Sequence, residues 1–359
     1  MHPTLAELGC STRWEAFFAP HAREGVVLGR VVRGDRGSAL VATERGVLRA
    51  KPATRLLKTA KGPAELPAVG DWVVAFAPED LDVPLVEAVL ERSSAITRGD
   101  SGRSSDLQVL AANVDIVFVV HPIADGPNLR RLERELSLAW VSGAVPVVVL
   151  TKADLSPDPA GALAAAAAVA PGAEVLLVNA LSGDGVEPLF THLAGHRTAV
   201  LIGPSGAGKS TLINALLGEE RQATRTVRVQ DGRGRHTTVA RELIPVPRGG
   251  VLIDTPGLRE VGLTGSEEGI AAAFPEIDAA ALSCRYRDCT HRDEPGCAVA
   301  AAVASGALPR ERLASFHKLR REAQVAAAKT DVRLRAEEER KWKIIHKAAR
   351  DFHKRTGRG

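Results

Sequence analysis

The chain has 359 residues, 45% hydrophobic, 25% charged and 4% aromatic, with a formal net charge of +4. That length holds several domains, and the composition excludes a largely disordered chain. With no apolar run of about 18 residues and no basic-then-apolar leader, the sequence predicts a cytoplasmic protein without a membrane span. The charge is uneven: +1 over residues 1–98, −6 over 99–309 and +9 over 310–359.

Residues 1–24 read as an N-terminal extension. From there, β-rich runs at 25–33, 38–42, 46–50, 71–77 and 85–90 alternate with Gly, Pro and Asp turns. Their spacing predicts a small barrel of the oligonucleotide-binding (OB) type over 25–95. Short apolar runs follow at 114–120, 145–150, 175–178, 198–202 and 250–254, most of them separated by helix-length stretches at 129–140, 160–170, 186–194 and 209–217. Strands alternating with helices predict a parallel sheet covered on both faces, here over 96–265. The alanine run at 164–168 sits inside a helix-length segment and is read as plain helix. A further short strand is expected over 239–246. After residue 262 the strands stop, and 266–359 read as a separate α-helical module with helical text over 309–354.

The strongest motif is Gly203-Pro204-Ser205-Gly206-Ala207-Gly208-Lys209-Ser210-Thr211, which matches G-x-x-x-x-G-K-[ST] between an apolar strand and a helix. Its glycines let backbone N–H groups curl around phosphate oxygens, and the helix that follows points its positive end at them. Lys209 is assigned to the β- and γ-phosphates and the Ser210 hydroxyl to Mg²⁺. Thr151-Lys152-Ala153-Asp154 directly follows the run at 145–150 and resembles the N-K-x-D guanine motif. A carboxylate at Asp154 accepts from N1–H and the 2-amino group of guanine, whereas adenine presents an acceptor at N1. Thr151 replaces the usual Asn, which predicts one weaker orienting hydrogen bond. Asn179-Ala180, at the end of the run at 175–178, resembles the loop whose alanine N–H meets guanine O6.

Downstream, Asp254-Thr255-Pro256-Gly257 is the D-x-x-G element, with Asp254 holding Mg²⁺ through water and the Gly257 N–H on the γ-phosphate. Residues 232–238 have the place of switch I, with Thr238 chosen for the second Mg²⁺ hydroxyl and Thr237 the close alternative. The guanine elements precede the phosphate loop, so the GTPase is circularly permuted. Loops at the carboxyl edge of one sheet tolerate that reordering. A P-loop ATPase and a non-hydrolysing RNA-binding scaffold are the alternatives at this point.

Cys284, Cys289, His291 and Cys297 supply three thiolates and one imidazole within fourteen residues, the donor set of a closed, structural zinc site. The cation-rich tail beyond it, with Lys341, Lys343, Lys347 and Arg350 among others, is dense enough to bind a phosphate backbone.

A permuted GTPase flanked by a small barrel and a Cys-x4-Cys-x-His-x5-Cys module resembles the family of small ribosomal subunit-dependent GTPases known as RsgA, YjeQ or YloQ, over roughly residues 25–300. The resemblance implies a GTPase that acts late in maturation of that subunit, bound to its rRNA and stimulated by it; nothing in the sequence demands more than a monomer. It also points to a histidine just ahead of the paired threonines, here His236, as the group that orients the attacking water. Leu258 stands where a Ras-like GTPase has its water-orienting Gln, so slow intrinsic turnover is expected.

Overall fold

The computed structural model describes residues 4–79, 81–99, 107–218, 241–254, 270–271, 273–292 and 294–330. His236, Thr237, Thr238, Gly257, Leu258 and the tail from residue 331 lie outside the described residues.

Five strands make the N-terminal barrel: β1 (Val26–Asp35), β2 (Ser38–Thr43), β3 (Gly46–Pro52), β4 (Trp72–Phe76) and β5 (Leu85–Val89). β1 pairs with both β2 and β4, so the order β1-β2-β3-β5-β4 closes on itself and leaves no free edge. A register shift between Val31 and Arg33 bends β1 so that it can serve two partners. Helix α1 (Thr12–Phe18) is anchored on the barrel by Trp14, which stacks on Trp72 at 5.5 Å. Helix α2 (Thr54–Thr59) follows β3.

A hairpin of β6 (Ala95–Gly99) and β7 (Leu107–Ala112) connects the barrel to the next sheet. The sequence reading assigned no strands there. Short and alanine-containing, these segments lack the Val/Ile density that marked the other strands.

The central sheet contains β8 (Ile116–Pro122), β9 (Val145–Thr151), β10 (Glu174–Val178), β11 (Thr198–Ile202), β12 (Glu242–Pro245) and β13 (Val251–Asp254). Its order is β10-β9-β8-β11-β13-β12, with only β12 antiparallel. Strand β12 ends one residue before the expected 246, where Val246 donates to the Gly250 carbonyl and accepts from Gly249 N–H, both at 2.9 Å, to close the turn; residues 239 and 240 lie outside the described residues. β8 shows why its apolar run is continuous: Val117 and Val119 enter one core, while Ile116, Phe118 and Val120 enter the core on the other face. Helices α3 (Leu129–Val141) and α4 (Pro159–Val169) cover the first face through Leu132, Leu136 and Ala166. On the second, α5 (Glu187–Leu193) and α6 (Lys209–Leu217) contribute Leu189, Leu193, Leu212 and Leu216. The alanine run is helical as expected; α4 starts because the Asp158 side chain accepts from Gly161 N–H and Pro159 needs no partner for its nitrogen.

Barrel and sheet are joined through the far end of β1, which beyond its pairing with β4 also pairs with β12 at Arg33 and Glu242. Beyond the sheet come α7 (Pro275–Ala281), α8 (Ala298–Ala304) and α9 (Arg310–Thr330). Helix α9 begins where the helical text predicted, and the rest of the expected 309–354 span is outside the described residues. Phe274, Ile277, Val299, Phe316 and Leu319 of this module share one continuous core with α3 and α4.

Candidate functional site

Because β8, β9, β10, β11 and β13 run parallel, the loops that follow them emerge on one edge of the sheet. That edge gathers Thr151 to Asp154 after β9, Asn179 and Ala180 after β10, the 203–208 loop after β11, and Asp254 at the end of β13. β11 lies between β8, which precedes it in sequence, and β13, which follows it, so the phosphate loop occupies the topological switch point of the sheet.

The loop at 203–208 is glycine-rich for reasons the backbone makes explicit. Gly203 has φ +141°, and a Cβ there would stand 2.1 Å from the Val120 carbonyl oxygen of β8. Gly208 enters α6 at φ +90°, a left-handed turn that aims the first N–H groups of the helix into the loop. Lys209 Nζ donates to the carbonyls of Gly203 at 2.8 Å and Pro204 at 2.6 Å, folding its ammonium over the loop. Ser210 and Thr211 occupy the first turn of α6.

Thr151 is buried at the end of β9, and its hydroxyl donates to the Ala207 carbonyl at 2.6 Å, with the His121 carbonyl at 3.3 Å. The residue expected to weaken an orienting bond therefore ties the 151–154 loop directly to the phosphate loop. Lys152 then turns left-handed, at φ +60°, which places the exposed Asp154 beyond the tie in a short 3₁₀ turn. Asn179 organises the neighbouring loop: its Oδ1 accepts from Leu181 N–H at 3.0 Å and Ser182 N–H at 3.3 Å. Gly185 closes that turn where a Cβ would meet the Leu177 carbonyl at 2.1 Å.

The second cluster lies between α7 and α8. The ligand atoms of Cys284, Cys289, His291 and Cys297 all fall within 4.8 Å of one another. Cys284 Sγ is 3.9 Å from Cys297 Sγ, and each of those sulfurs is 3.6 Å from His291 Nδ1. A tetrahedron with metal–sulfur bonds of about 2.3 Å and a metal–nitrogen bond of about 2.0 Å has edges of roughly 3.8 and 3.5 Å. The four groups therefore fit a zinc ion by spacing as well as by donor chemistry. Burial lowers the pKa of His291, favouring the neutral ring a metal requires. His291 sits at φ +60°, and Glu294 holds it there: its carboxylate accepts from the hydroxyl and N–H of Thr290 and the N–H of Arg292, bonds that bring Glu294 down to about 2. The sequence reading missed Glu294; an acidic side chain between two metal ligands was the available signal.

With this geometry in place, the relatives are informative. A model for the RsgA GTPase family matches residues 89–264, and one for a 50S ribosome-binding GTPase family matches 198–340. The Small ribosomal subunit biogenesis GTPase RsgA of Streptomyces avermitilis is 50% identical over 345 residues, covering 95% of this chain and 91% of its own. The chain belongs to the RsgA GTPase family. Two solved structures share the fold at 25% identity: YjeQ from Thermotoga maritima, with TM-score 0.63 over 83% of this chain and 98% of that one, and YloQ, a circularly permuted GTPase, with 0.62 over 85% and 97%. The expected fold is met: an OB-like barrel, a permuted GTPase sheet and a helical module with a Cys3His cluster. As a member of the family the protein is a GTP hydrolase, which sets aside the ATPase and scaffold readings. Family membership implies Mg²⁺ with the nucleotide, and Ser210 and Asp254 offer oxygen donors at the right edge.

Two buried arginines tie the central sheet and its covering helices to the neighbouring modules, and neither was visible as a site residue in sequence. Arg30 of β1 donates to Thr198 Oγ1 at 2.8 Å, to the Gly70 carbonyl at 3.3 Å and to the Leu8 carbonyl. Burial pulls it down to about 10, opposed by Asp115 and Asp71, so it stays charged at neutrality. Arg312 of α9 bonds Glu133 of α3 at 3.0 Å, Glu276 of α7 at 2.6 Å, and the carbonyls of Val169 at 3.2 Å and Ala273 at 2.6 Å. Its guanidinium also lies over Phe274, 4.3 Å from the ring centroid.

Proposed function

We propose that this GTPase binds the small ribosomal subunit and its rRNA and hydrolyses GTP to GDP and phosphate during late maturation of that subunit. The observation that carries the reading is the assembly of both guanine loops and the phosphate loop on one sheet edge, in permuted order, in a chain half identical to a protein named for small-subunit biogenesis. The working units are the extension at 1–24, the barrel at 25–95, the GTPase at 96–265 and the zinc module with its basic helix at 266–359. In this reading Asp154 pairs with N1–H and the 2-amino group of guanine, Ala180 N–H with O6, and Lys209 with the β- and γ-phosphates. The phosphate-loop N–H groups hold the remaining phosphate oxygens, and Ser210, Thr238 and Asp254 provide the Mg²⁺ positions. Gly257 contacts the γ-phosphate, and His236 orients water once the subunit is bound. Cys284, Cys289, His291 and Cys297 hold one structural zinc. No helix among the described residues is long and apolar enough to cross a membrane. A cytoplasmic monomer fits this work.

The test is GTP hydrolysis with and without purified small subunits at two salt concentrations. Stimulation that falls at high salt is expected, because contacts between cationic side chains and rRNA phosphates release counterions. Absence of stimulation at low salt overturns the reading, and His236→Ala with undiminished stimulated activity removes that residue from it.

A further inference from the structure

We propose that Thr151 leaves the N7 edge of guanine unread, so that this protein selects its base through N1, N2 and O6 alone. The inference rests on the reading of 151–154 and 179–180 as the base-binding loops. Along one side of guanine the polar atoms run N2, N1, O6, N7. With Asp154 on N1 and N2 and Ala180 N–H on O6, N7 comes next, on the five-membered ring that leads through the sugar to the phosphates. On that reading it faces the join between the base loops and the phosphate loop, where Thr151 meets Ala207.

N7 is only an acceptor, and a threonine hydroxyl has one proton to give. At Thr151 that proton is engaged: Oγ1 lies 2.6 Å from the Ala207 carbonyl and 3.3 Å from the His121 carbonyl, both acceptors. Thr151 is 2% exposed and Ala207 fully buried, so turning the hydroxyl toward a base would strip a buried carbonyl of its partner. An asparagine in the same place has two amide protons and a carbonyl, enough to bind the phosphate loop and N7 together. Threonine keeps the first bond and gives up the second. Thr151 is thus a positioning residue for the two loops and a specificity determinant by what it does not offer.

Displacement of a fluorescent GDP from the full-length protein tests this with three competitors. GDP is the reference. 7-Deaza-GDP replaces N7 with C–H and keeps N1, N2 and O6. Inosine diphosphate lacks only the 2-amino group. A neutral hydrogen bond to N7 would be worth about two- to tenfold in affinity. The expected result is 7-deaza-GDP within about twofold of GDP, with inosine diphosphate at least about tenfold weaker. Thr151→Asn is expected to open a gap of several-fold between GDP and 7-deaza-GDP. Thr151→Val is expected to weaken both equally, as the tie between the loops is lost. A wild-type protein that binds 7-deaza-GDP more than about twofold weaker than GDP overturns the proposal, whether or not the variants fold. Equal binding of inosine diphosphate and GDP would instead bring down the assignment of Asp154 on which it stands.

Discussion

Residues in the phosphate loop divide by what their backbone demands. Gly203 and Gly206 both have positive φ, at +141° and +78°, but only Gly203 is pressed against a neighbour; a Cβ at Gly206 meets nothing within 4 Å. Gly206→Ala is therefore expected to cost about 1 kcal/mol of backbone strain and Gly203→Ala several, with a visibly lower melting temperature for the latter alone. Lys209→Ala, which removes the ammonium that lies over the loop carbonyls, is expected to cut hydrolysis by about 100-fold or more in a steady-state assay. Sequence made these residues plain because fixed spacing is written into the motif. It did not disclose what Thr151 does, because a departure from a consensus says which residue is missing and not which contact its replacement makes.

Among the elements, α9 and the metal loop carry the most information beyond the motifs. Arg312 and Glu133 are 5% and 4% exposed, so removing the arginine strands a buried carboxylate. Arg312→Met should destabilise by about 3–5 kcal/mol, read from chemical denaturation, and adding Glu133→Leu should recover much of it, because an apolar pair has no charge to leave stranded. In the metal loop, Glu294→Ala frees the Thr290 and Arg292 N–H groups that brace His291. Zinc should then be lost to a chelator about 10- to 100-fold faster. Strand and helix positions in the sheet were legible from continuous apolar runs separated by helix-length stretches. The β6–β7 hairpin and the two bridging arginines were not, since a buried cation in a charged stretch looks the same as a solvated one until its partners, 22 to 179 residues away, are known.

For the molecule as a whole, the net charge is a sum of unlike parts: −6 over residues 99–309, which include the metal cluster, and +9 over residues 310–359. A cationic C-terminal sequence predicts that binding to subunits weakens steeply with salt, while GTP affinity in their absence barely changes; parallel titrations separate the two. The permuted order has a consequence in time as well as in space. Chains fold from the N-terminus as they are made. Here the barrel closes on strands within residues 26–89, and β8, β9 and β10 are complete by Val178, before the strand that ends in the phosphate loop has left the ribosome. That strand, β11, then waits for β13, and β1 waits longer still for its pairing at Glu242. On the proposed reading, the half that reads the base is built first, and the half that holds the phosphates is added to a finished template. A nascent chain arrested after Val178 should already show protected amides in β8 and β9, whereas nucleotide binding should arise only once residue 254 is free.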